Sequence, residues 1–174
     1  MTIEDLKVVI TGSREVDESL VRNIREFVDK VAPCTIQFMC GGAIGTDSIF
    51  VEEFAKINGA VTIYTPYIAS RHLQLRSVYP DISIVETEAR NTAFHKGMLL
   101  NRNRIMVNQS TAVILFKSNG KGGSWYTAQY ALSKGISVYV ESRFREGDLG
   151  YEGNQLLLRY GCKKLSEFTK LLDI

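Results

Sequence analysis

Residues 35–47 read TIQFMCGGAIGTD, and this stretch decides the fold class. Residues 35–40 are a short apolar run of strand-forming composition that stops at Gly41 and Gly42. From residue 46 to residue 58 the apolar side chains recur at the spacing of one helix face. A strand that leads through a glycine-rich turn into a helix is the first half of a βαβ unit.

The same alternation continues on both sides of this unit. Residues 66–83 are less regular and predict a loop with one short helix, followed by an edge strand near residues 82–85. The run TAVILF at residues 111–116 is the most continuous apolar segment, so we expect it to be the central strand. Other strands are predicted at residues 6–10, 35–40, 60–65 and 136–140, and helices at residues 17–31, 46–58, 88–108 (at least from Leu100 onward), 125–134 and 165–172. This order predicts an α/β fold of Rossmann-like type, a three-layer, doubly wound, mainly parallel sheet.

Length and charge narrow the class of protein. The 174 residues, 45% of them apolar, fit a single Rossmann-like domain over residues 1–174. The net charge of +2 is far below that of a non-specific DNA coat, so a nucleic-acid site would have to be a local patch. No apolar run approaches the roughly 18 residues that span a membrane, and the N-terminus does not read as a signal peptide. We therefore expect no membrane partner.

The three cysteines, Cys34, Cys40 and Cys162, are odd in number and scattered. This pattern argues against a disulfide framework and against a zinc site. It is typical of a protein of the reducing cytoplasm, which is the localisation we expect. Neither a metal nor another cofactor is predicted.

Three polar, glycine-rich turns follow predicted strands. In a doubly wound sheet the carboxyl ends of the strands flank the ligand-binding crevice. We expect the backbone N–H groups of residues 12–14, 42–45 and 122–124 to converge there on one anion, most often a phosphate. Tight turns with ordinary helix caps are the alternative. The candidate residues are Gly12, Ser13 and Arg14; Gly41, Gly42, Ala43, Gly45, Thr46 and Asp47; and Lys121, Gly122, Gly123 and Ser124.

Two standard glycine fingerprints are missing from the sequence. G-x-G-x-x-G does not follow the first strand, which argues against a dinucleotide-dependent dehydrogenase, and no P-loop motif occurs. Asp47, at the start of a helix, either complements the helix dipole or binds a ribose hydroxyl or a base edge. The helix N-terminus is expected to keep the pKa of Asp47 low, which would make it a poor general acid.

Arg102, Asn103 and Arg104 precede the expected central strand. Two arginines beside an amide suit bidentate contacts with phosphate, and a solvated helix face paired with acids such as Glu86 or Glu88 is the alternative. We expect one arginine to point into the anion pocket and the other to support it through a carboxylate.

The histidines and the aromatic pair give weaker signals. His72 and His95 have no Ser or Cys partner in a recognisable constellation, so they are expected to be surface or loop residues. Trp125 and Tyr126 follow the third glycine turn. Core packing is expected to explain at least one of them, and the other could stack on a base.

Taken together, these motifs resemble those of the DNA-processing protein A family (DprA, or Smf), part of a superfamily of Rossmann-like nucleotide-binding domains. The resemblance runs from about residue 6 to the C-terminus, and the order of the motifs matches as well. The similar motifs are G-S-R at residues 12–14, G-G-A-x-G with Asp47 at residues 41–47 (Thr46 replacing the usual Ile), Y-P at residues 79–80, R-N-R-I at residues 102–105, G-S-x-x-T-A at residues 123–128, and G-N with a later Gly at residues 153–161.

The chain also departs from the family pattern. Family members typically carry a helical domain before the Rossmann core and often a winged-helix domain after it, and neither fits in this chain. The family's F-P before R-N-R is absent, because Asn101 stands directly before Arg102. The resemblance implies a core that binds single-stranded DNA and pairs with itself and with a recombinase, and a bare core can keep the pocket without the recombinase role.

A sister branch contains phosphoribohydrolases of the LOG type, whose catalytic loop is P-G-G-x-G-T-x-x-E. Gly122 and Gly123 align with its glycines, but the position of the acid falls on Ala128 or Gln129. An oxocarbenium-like transition state needs a carboxylate nearby, and neither residue supplies one.

Three functions therefore remain open. The first is a non-catalytic module that binds single-stranded DNA or a nucleotide through its phosphates. The second is a sensor of a small nucleotide-derived signal. The third is an N-glycosidic hydrolase of nucleoside monophosphates, which needs a carboxylate from elsewhere in the chain, with Asp47, Glu86 and Glu88 as the candidates. A homo-oligomer is possible in each case.

Overall fold

The computed structural model describes residues 6–57, 59–89 and 92–174. One seven-stranded sheet in the order β4-β3-β2-β1-β5-β6-β7 forms its centre, and every pairing is parallel. The strands are β1 (Lys7–Thr11), β2 (Gln37–Cys40), β3 (Val61–Thr65), β4 (Ser83–Glu86), β5 (Ala112–Leu115), β6 (Ser137–Val140) and β7 (Lys163–Lys164). The fold class predicted from the sequence is confirmed.

Helices cover both faces of this sheet. The helices are α1 (Glu18–Val31), α2 (Thr46–Lys56), α3 (Ser70–Val78), α4 (Gly97–Gln109), α5 (Gly122–Ser133), α6 (Tyr151–Arg159) and α7 (Leu165–Leu171). Alternate residues of each strand point to opposite faces, so Val8 and Ile10 pack with α1 and α2 while Val9 packs with α4 and α5. The result is a sheet between two helical layers, each with its own apolar core.

The strand order places a switch point between β1 and β5. The chain leaves β1 through α1 toward β2 on one side, whereas β5 lies against the other edge of β1 and leads on to β6. The turns that follow β1 and β5 therefore diverge and leave a crevice at the carboxyl edge of the sheet. Residues 112–115 are fully buried and have a strand on each side, although β1 holds the exact middle of the sheet.

Two helices begin elsewhere than the sequence predicted. α4 begins at Gly97, not at residue 88, and residues 90–91 of that prediction lie outside the described residues. Its first buried side chain is Met98, and no apolar stripe precedes it that could bury a helix face. α5 begins at Gly122, before the predicted Trp125, because the glycines themselves form its first turn.

The last part of the chain holds two elements that the sequence pattern did not show. α6 and the two-residue β7 lie between β6 and α7. The short apolar stripe of α6, with Leu157 as its buried aliphatic residue, is interrupted by Gly153 and Asn154, so the periodicity was too brief to detect. The short helix expected within residues 66–83 is α3, and the expected edge strand is β4.

Across the described ranges, every helix is too short or too polar to cross a lipid bilayer.

Candidate functional site

An open cavity of about 550 Å³ lies in the crevice between β1 and β5. The turns after these two strands form most of its wall, and α4 closes one side. We call it the switch-point pocket. Its lining residues are Thr11, Gly12, Ser13, Arg14, Glu15, Ala43, Asp47, Lys96, Leu99, Leu100, Asn103, Asn119, Lys121, Gly122, Gly123, Ser124 and Tyr126. Members of all three glycine-rich turns therefore meet in one place.

The turn after β1 is fastened to the start of α2. Thr46 donates its hydroxyl and its backbone N–H to the carbonyl oxygen of Ser13, over 2.9 and 3.1 Å. Gly45 has a φ of 106°, and a Cβ there would lie 2.5 Å from the Cα of Arg14, so both the conformation and the close approach require glycine. This contact holds Arg14 at the mouth of the pocket with its side chain exposed.

The second turn, after β2, uses its N–H groups internally. The Asp47 carboxylate accepts hydrogen bonds from the N–H groups of Gly41 (3.0 Å) and Ala43 (3.3 Å), and Gly45 donates to the hydroxyl of Ser48 (3.1 Å). The expectation that the N–H groups of residues 42–45 face a bound anion is therefore wrong for Ala43 and Gly45. An internal carboxylate already occupies that cradle.

Asp47 also differs from expectation in its acidity. The sequence predicted a low pKa from its place at a helix N-terminus. Burial instead raises the pKa of Asp47 to about 6, because loss of solvation outweighs the lowering effects of Arg102 and of the two backbone hydrogen bonds. Asp47 reaches the pocket wall, but only 8% of its surface is exposed.

The third turn leaves its helix N-terminus open to the pocket. α5 begins without a side-chain cap from the described part of the chain, and Lys121, Gly122 and Gly123 are exposed. The first-turn N–H groups of a helix have no partners within the helix, and together with the helix dipole they attract anions. The hydroxyl of Thr127 anchors this turn by donating to the carbonyl of Gly123 over 2.8 Å.

Arg102 lies under the pocket and does not point into it. Its guanidinium is buried and donates to the carbonyl oxygens of Gly41 and Tyr64 and to the side chain of Asn103. A Cβ on Gly41 would lie 2.5 Å from the guanidinium carbon, which explains the glycine. Burial lowers the pKa of Arg102, and the negative charge of Asp47 opposes this. Arg102 thus supports the ends of β2 and β3.

The other two residues of the R-N-R sequence have different surroundings. Asn103 lines the pocket and donates to Thr127 over 2.9 Å, which connects α4 to the first turn of α5. Arg104 does not line the switch-point pocket, and its guanidinium lies 5.6 Å from the centre of the Tyr130 ring in a neighbouring groove. The prediction that one arginine enters the pocket while the other supports it through a carboxylate is wrong, because α4 turns the two side chains in other directions.

Two buried residues lie behind the site: sequence reasoning missed Lys117, and it noted Asn154 only as part of a family motif, without a role. The ammonium of Lys117 is fully buried and donates to the carbonyl of Glu15 and to the carboxylate of Asp17, at 3.4 and 3.3 Å. Asn154 accepts from the N–H of Ser118 and donates to two carbonyls. Lys117 follows directly after the apolar run at residues 111–116, and that position at a carboxyl edge is the signal that could have identified it.

Among the remaining side chains that the sequence singled out, the prediction for His72 is wrong, whereas His95 and Trp125 lie as expected. His72 is buried, contrary to prediction, and bonds the N–H of Ala69 through Nδ1 and the carbonyl of Gly42 through Nε2. Burial lowers its pKa, which favours the neutral ring. His95 is exposed. Trp125 packs against the core, whereas Tyr126 is 57% exposed at the pocket rim.

The structure supplies little for metal or glycosidic chemistry near the pocket. Among residues 6–57, 59–89 and 92–174, no group of three or more His, Cys, Asp or Glu side chains could hold a metal ion. Ala128 is fully buried, and Gln129 lines the neighbouring groove.

This geometry defines a class of protein: a Rossmann-like domain with an open polar pocket at the switch point of its sheet. A sequence model described as DNA recombination-mediator protein A matches residues 2–173. The chain belongs to that family, which confirms the resemblance carried by the sequence motifs. A search of curated proteins returns no match.

Solved structures give the same fold. DNA processing protein A from Streptococcus pneumoniae aligns with a TM-score of 0.81 at 18% identity, over 94% of this chain and 59% of that one. The Helicobacter pylori protein aligns with a TM-score of 0.79 at 21% identity, over 98% and 82%. The molybdenum cofactor binding protein of Rippkaea orientalis aligns at 0.64 and 15%, over 97% and 98%. This chain thus spans about three fifths of the length of the S. pneumoniae protein.

Proposed function

We propose that the switch-point pocket binds single-stranded DNA through its phosphates and catalyses no reaction. The observation that carries this proposal is the convergence of the open N-terminus of α5 with the exposed cations Arg14, Lys96 and Lys121 on one cavity. Two carboxyls also line the cavity, and one of them, Asp47, is engaged by backbone N–H groups.

Family membership supports a nucleic-acid ligand. The similar structure from H. pylori was described for its single-stranded DNA binding mode. A strand would lay one phosphate against the N–H groups of residues 122–124, where the helix dipole adds to the hydrogen bonds. Arg14 and Lys121 would pair with the same phosphate or its neighbour.

The absence of catalysis rests on the surroundings of the acid. Cleavage of an N-glycosidic bond needs an anion or a nucleophile at the anomeric carbon. The carboxylate of Asp47 is turned toward the N–H groups of Gly41 and Ala43, so little of its charge is free for a substrate. Incubation with nucleoside monophosphates should release no free base, and release that disappears in an Asp47→Asn variant would contradict the proposal.

Binding is tested by fluorescence anisotropy with a labelled oligo-dT at several salt concentrations. Lys121→Gln should weaken binding about tenfold, the value expected when a charged hydrogen bond is lost. The slope of log affinity against log salt should fall by about 0.7, the amount for one phosphate of a single strand. Lys170→Gln, an exposed lysine on α7 far along the chain, is the matched control and should change neither value. An unchanged affinity and slope for Lys121→Gln would refute the proposal.

A further inference from the structure

We infer that the groove between α4 and α5 is a second subsite, which takes the next nucleotides of a strand held in the switch-point pocket. This inference rests on the proposed function. It assigns one base to the exposed ring of Tyr126 and the following phosphate to Arg104 and Lys134.

The groove and the pocket are neighbours that share part of their walls. The groove has a volume of about 390 Å³ and shares Leu100, Asn103 and Tyr126 with the pocket wall. Its other lining residues are Arg104, Thr127, Gln129, Tyr130 and Ser133. A strand whose phosphate sits at the first turn of α5 therefore reaches the groove by passing over these three shared residues.

Tyr126 lies at the junction of the two cavities. Its side chain is 57% exposed and lies three residues after Gly123, the second of the glycines that begin α5. A large aromatic ring left in water beside a candidate phosphate site is the arrangement on which bases stack. Tyr126 thus marks the place where a base turns away from the backbone of the strand.

Tyr130 stands one helical turn further, about 6 Å along the axis of α5. Its hydroxyl donates to Asn108 over 3.0 Å, which fixes the ring. The guanidinium of Arg104 and the ammonium of Lys134 lie 5.6 and 5.4 Å from the ring centre, within the range of cation–π attraction. Tyr130 is therefore a positioning residue that holds two exposed cations above the groove.

The charge of the groove matches the backbone of a nucleic acid. Its eight lining residues include a cation and no acid, within the part of the chain that the structure describes, and Lys134 adds a second cation above it. Sites that bind single-stranded nucleic acids combine positive charges for the phosphates with aromatic rings for the bases. Because the whole chain has a net charge of only +2, the positive charge at the groove is a local feature and not a consequence of a generally basic surface.

The experiment separates the groove from the pocket by the length of the ligand. A 5′-phosphorylated dT dinucleotide is short enough to fill the pocket alone, whereas dT12 can occupy both. The double variant Arg104→Gln/Lys134→Gln should weaken dT12 about tenfold, lower its salt slope by about 0.7 for the one phosphate that the two cations share, and leave the dinucleotide unchanged within a factor of two. Lys121→Gln should weaken both ligands.

Tyr126 provides an independent test of stacking. Tyr126→Leu should weaken dT12 at least fivefold, and Tyr126→Phe should restore the affinity because it keeps the ring. Tyr160→Leu, at another exposed tyrosine that directly follows α6, is the matched control. Circular dichroism and urea midpoints check that each variant folds.

The outcomes distinguish the two proposals. If the double variant binds dT12 as the parent does while Lys121→Gln loses both ligands, the groove has another occupant and the inference fails, but the pocket stands. If the double variant alone loses dT12, the groove binds the strand and the proposed role of the pocket fails. If neither variant changes any affinity, both proposals fail.

Discussion

Replacing Asn154 by alanine should destabilise the protein by about 3 kcal/mol. The Asn154 side chain is 1% exposed and makes three hydrogen bonds to backbone groups. Its Oδ1 accepts from the N–H of Ser118 at 2.8 Å, and its Nδ2 donates to the carbonyls of Phe116 and Glu141, both at 2.9 Å. All three partners belong to buried residues at the carboxyl ends of β5 and β6.

The magnitude follows from the cost of leaving these groups without partners. A neutral hydrogen bond contributes about 1 kcal/mol net, and an unsatisfied buried group costs about 1–3 kcal/mol. Three such groups give a loss of about 3 kcal/mol or more, which is a large part of the stability of an ordinary domain. A water molecule that enters the vacated space would keep the loss near the lower end.

Urea unfolding, followed by tryptophan fluorescence and circular dichroism, measures this loss. The slope of the free energy against urea should not change, because the folded state stays compact. Asn101→Ala is the control: that side chain is exposed and makes one 3.3 Å contact, with Glu88, so we expect a change below about 0.5 kcal/mol. A loss below about 1 kcal/mol for Asn154→Ala would refute the reasoning.

Two further predictions concern buried charges. Burial raises the pKa of Asp47 from 3.8 to about 6, so the folded state holds this proton more tightly than the unfolded chain, and ionisation costs stability as pH rises through that window. Relative to Asp47→Asn, the parent should therefore lose about 2 kcal/mol of unfolding free energy between pH 4 and pH 7, and parallel pH profiles from urea unfolding would show that the carboxyl titrates normally. Lys117→Met keeps the buried alkyl stem but removes the bonds to Glu15 and Asp17. Because the Asp17 side chain is 30% exposed, no buried charge is left behind, so stability should change by less than about 1 kcal/mol while oligo-dT binding weakens several-fold. Urea unfolding and fluorescence anisotropy on the same preparation measure the stability and the oligo-dT affinity of this variant. An affinity equal to that of the parent would mean that the turn after β1 keeps its binding geometry without the hydrogen bonds of Lys117.

The candidate site shows why residue type alone did not assign roles. The sequence assigned Arg102 and Arg104 to a phosphate site, one pointing at the anion and the other supporting it through a carboxylate, since arginine beside an amide suits phosphate contacts. Which way each side chain points depends on how α4 packs against β2, β3 and α5. In the structure that packing buries Arg102 among backbone carbonyls and turns Arg104 toward Tyr130.

The second glycine turn illustrates the same limit for backbone groups. Its glycines predicted exposed N–H groups, and glycine is indeed required at Gly41 and Gly45 by close approaches. The N–H groups nevertheless bind Asp47 and Ser48, because the helix that follows brings those side chains back over the turn. The acidity of Asp47 follows from its burial, a property of the assembled layers that the position of one residue at a helix start does not give.

The sequence by itself determined the α/β class, the parallel sheet and the place of the three turns. Apolar periodicity is a local property, and parallel strands bring their carboxyl ends to one edge whatever the side chains there do. Only the tertiary structure decided which groups at that edge face solvent. That choice depends on contacts between residues far apart in the chain, such as Lys117 with Asp17, Asn154 with Ser118 and Arg102 with Gly41. Polar groups that lose their water on burial must find such partners, and no local sequence pattern shows which groups are buried. The tertiary structure therefore decided that Lys117, Asn154 and Arg102 are buried while the cations of the pocket and the ring of Tyr126 stay exposed.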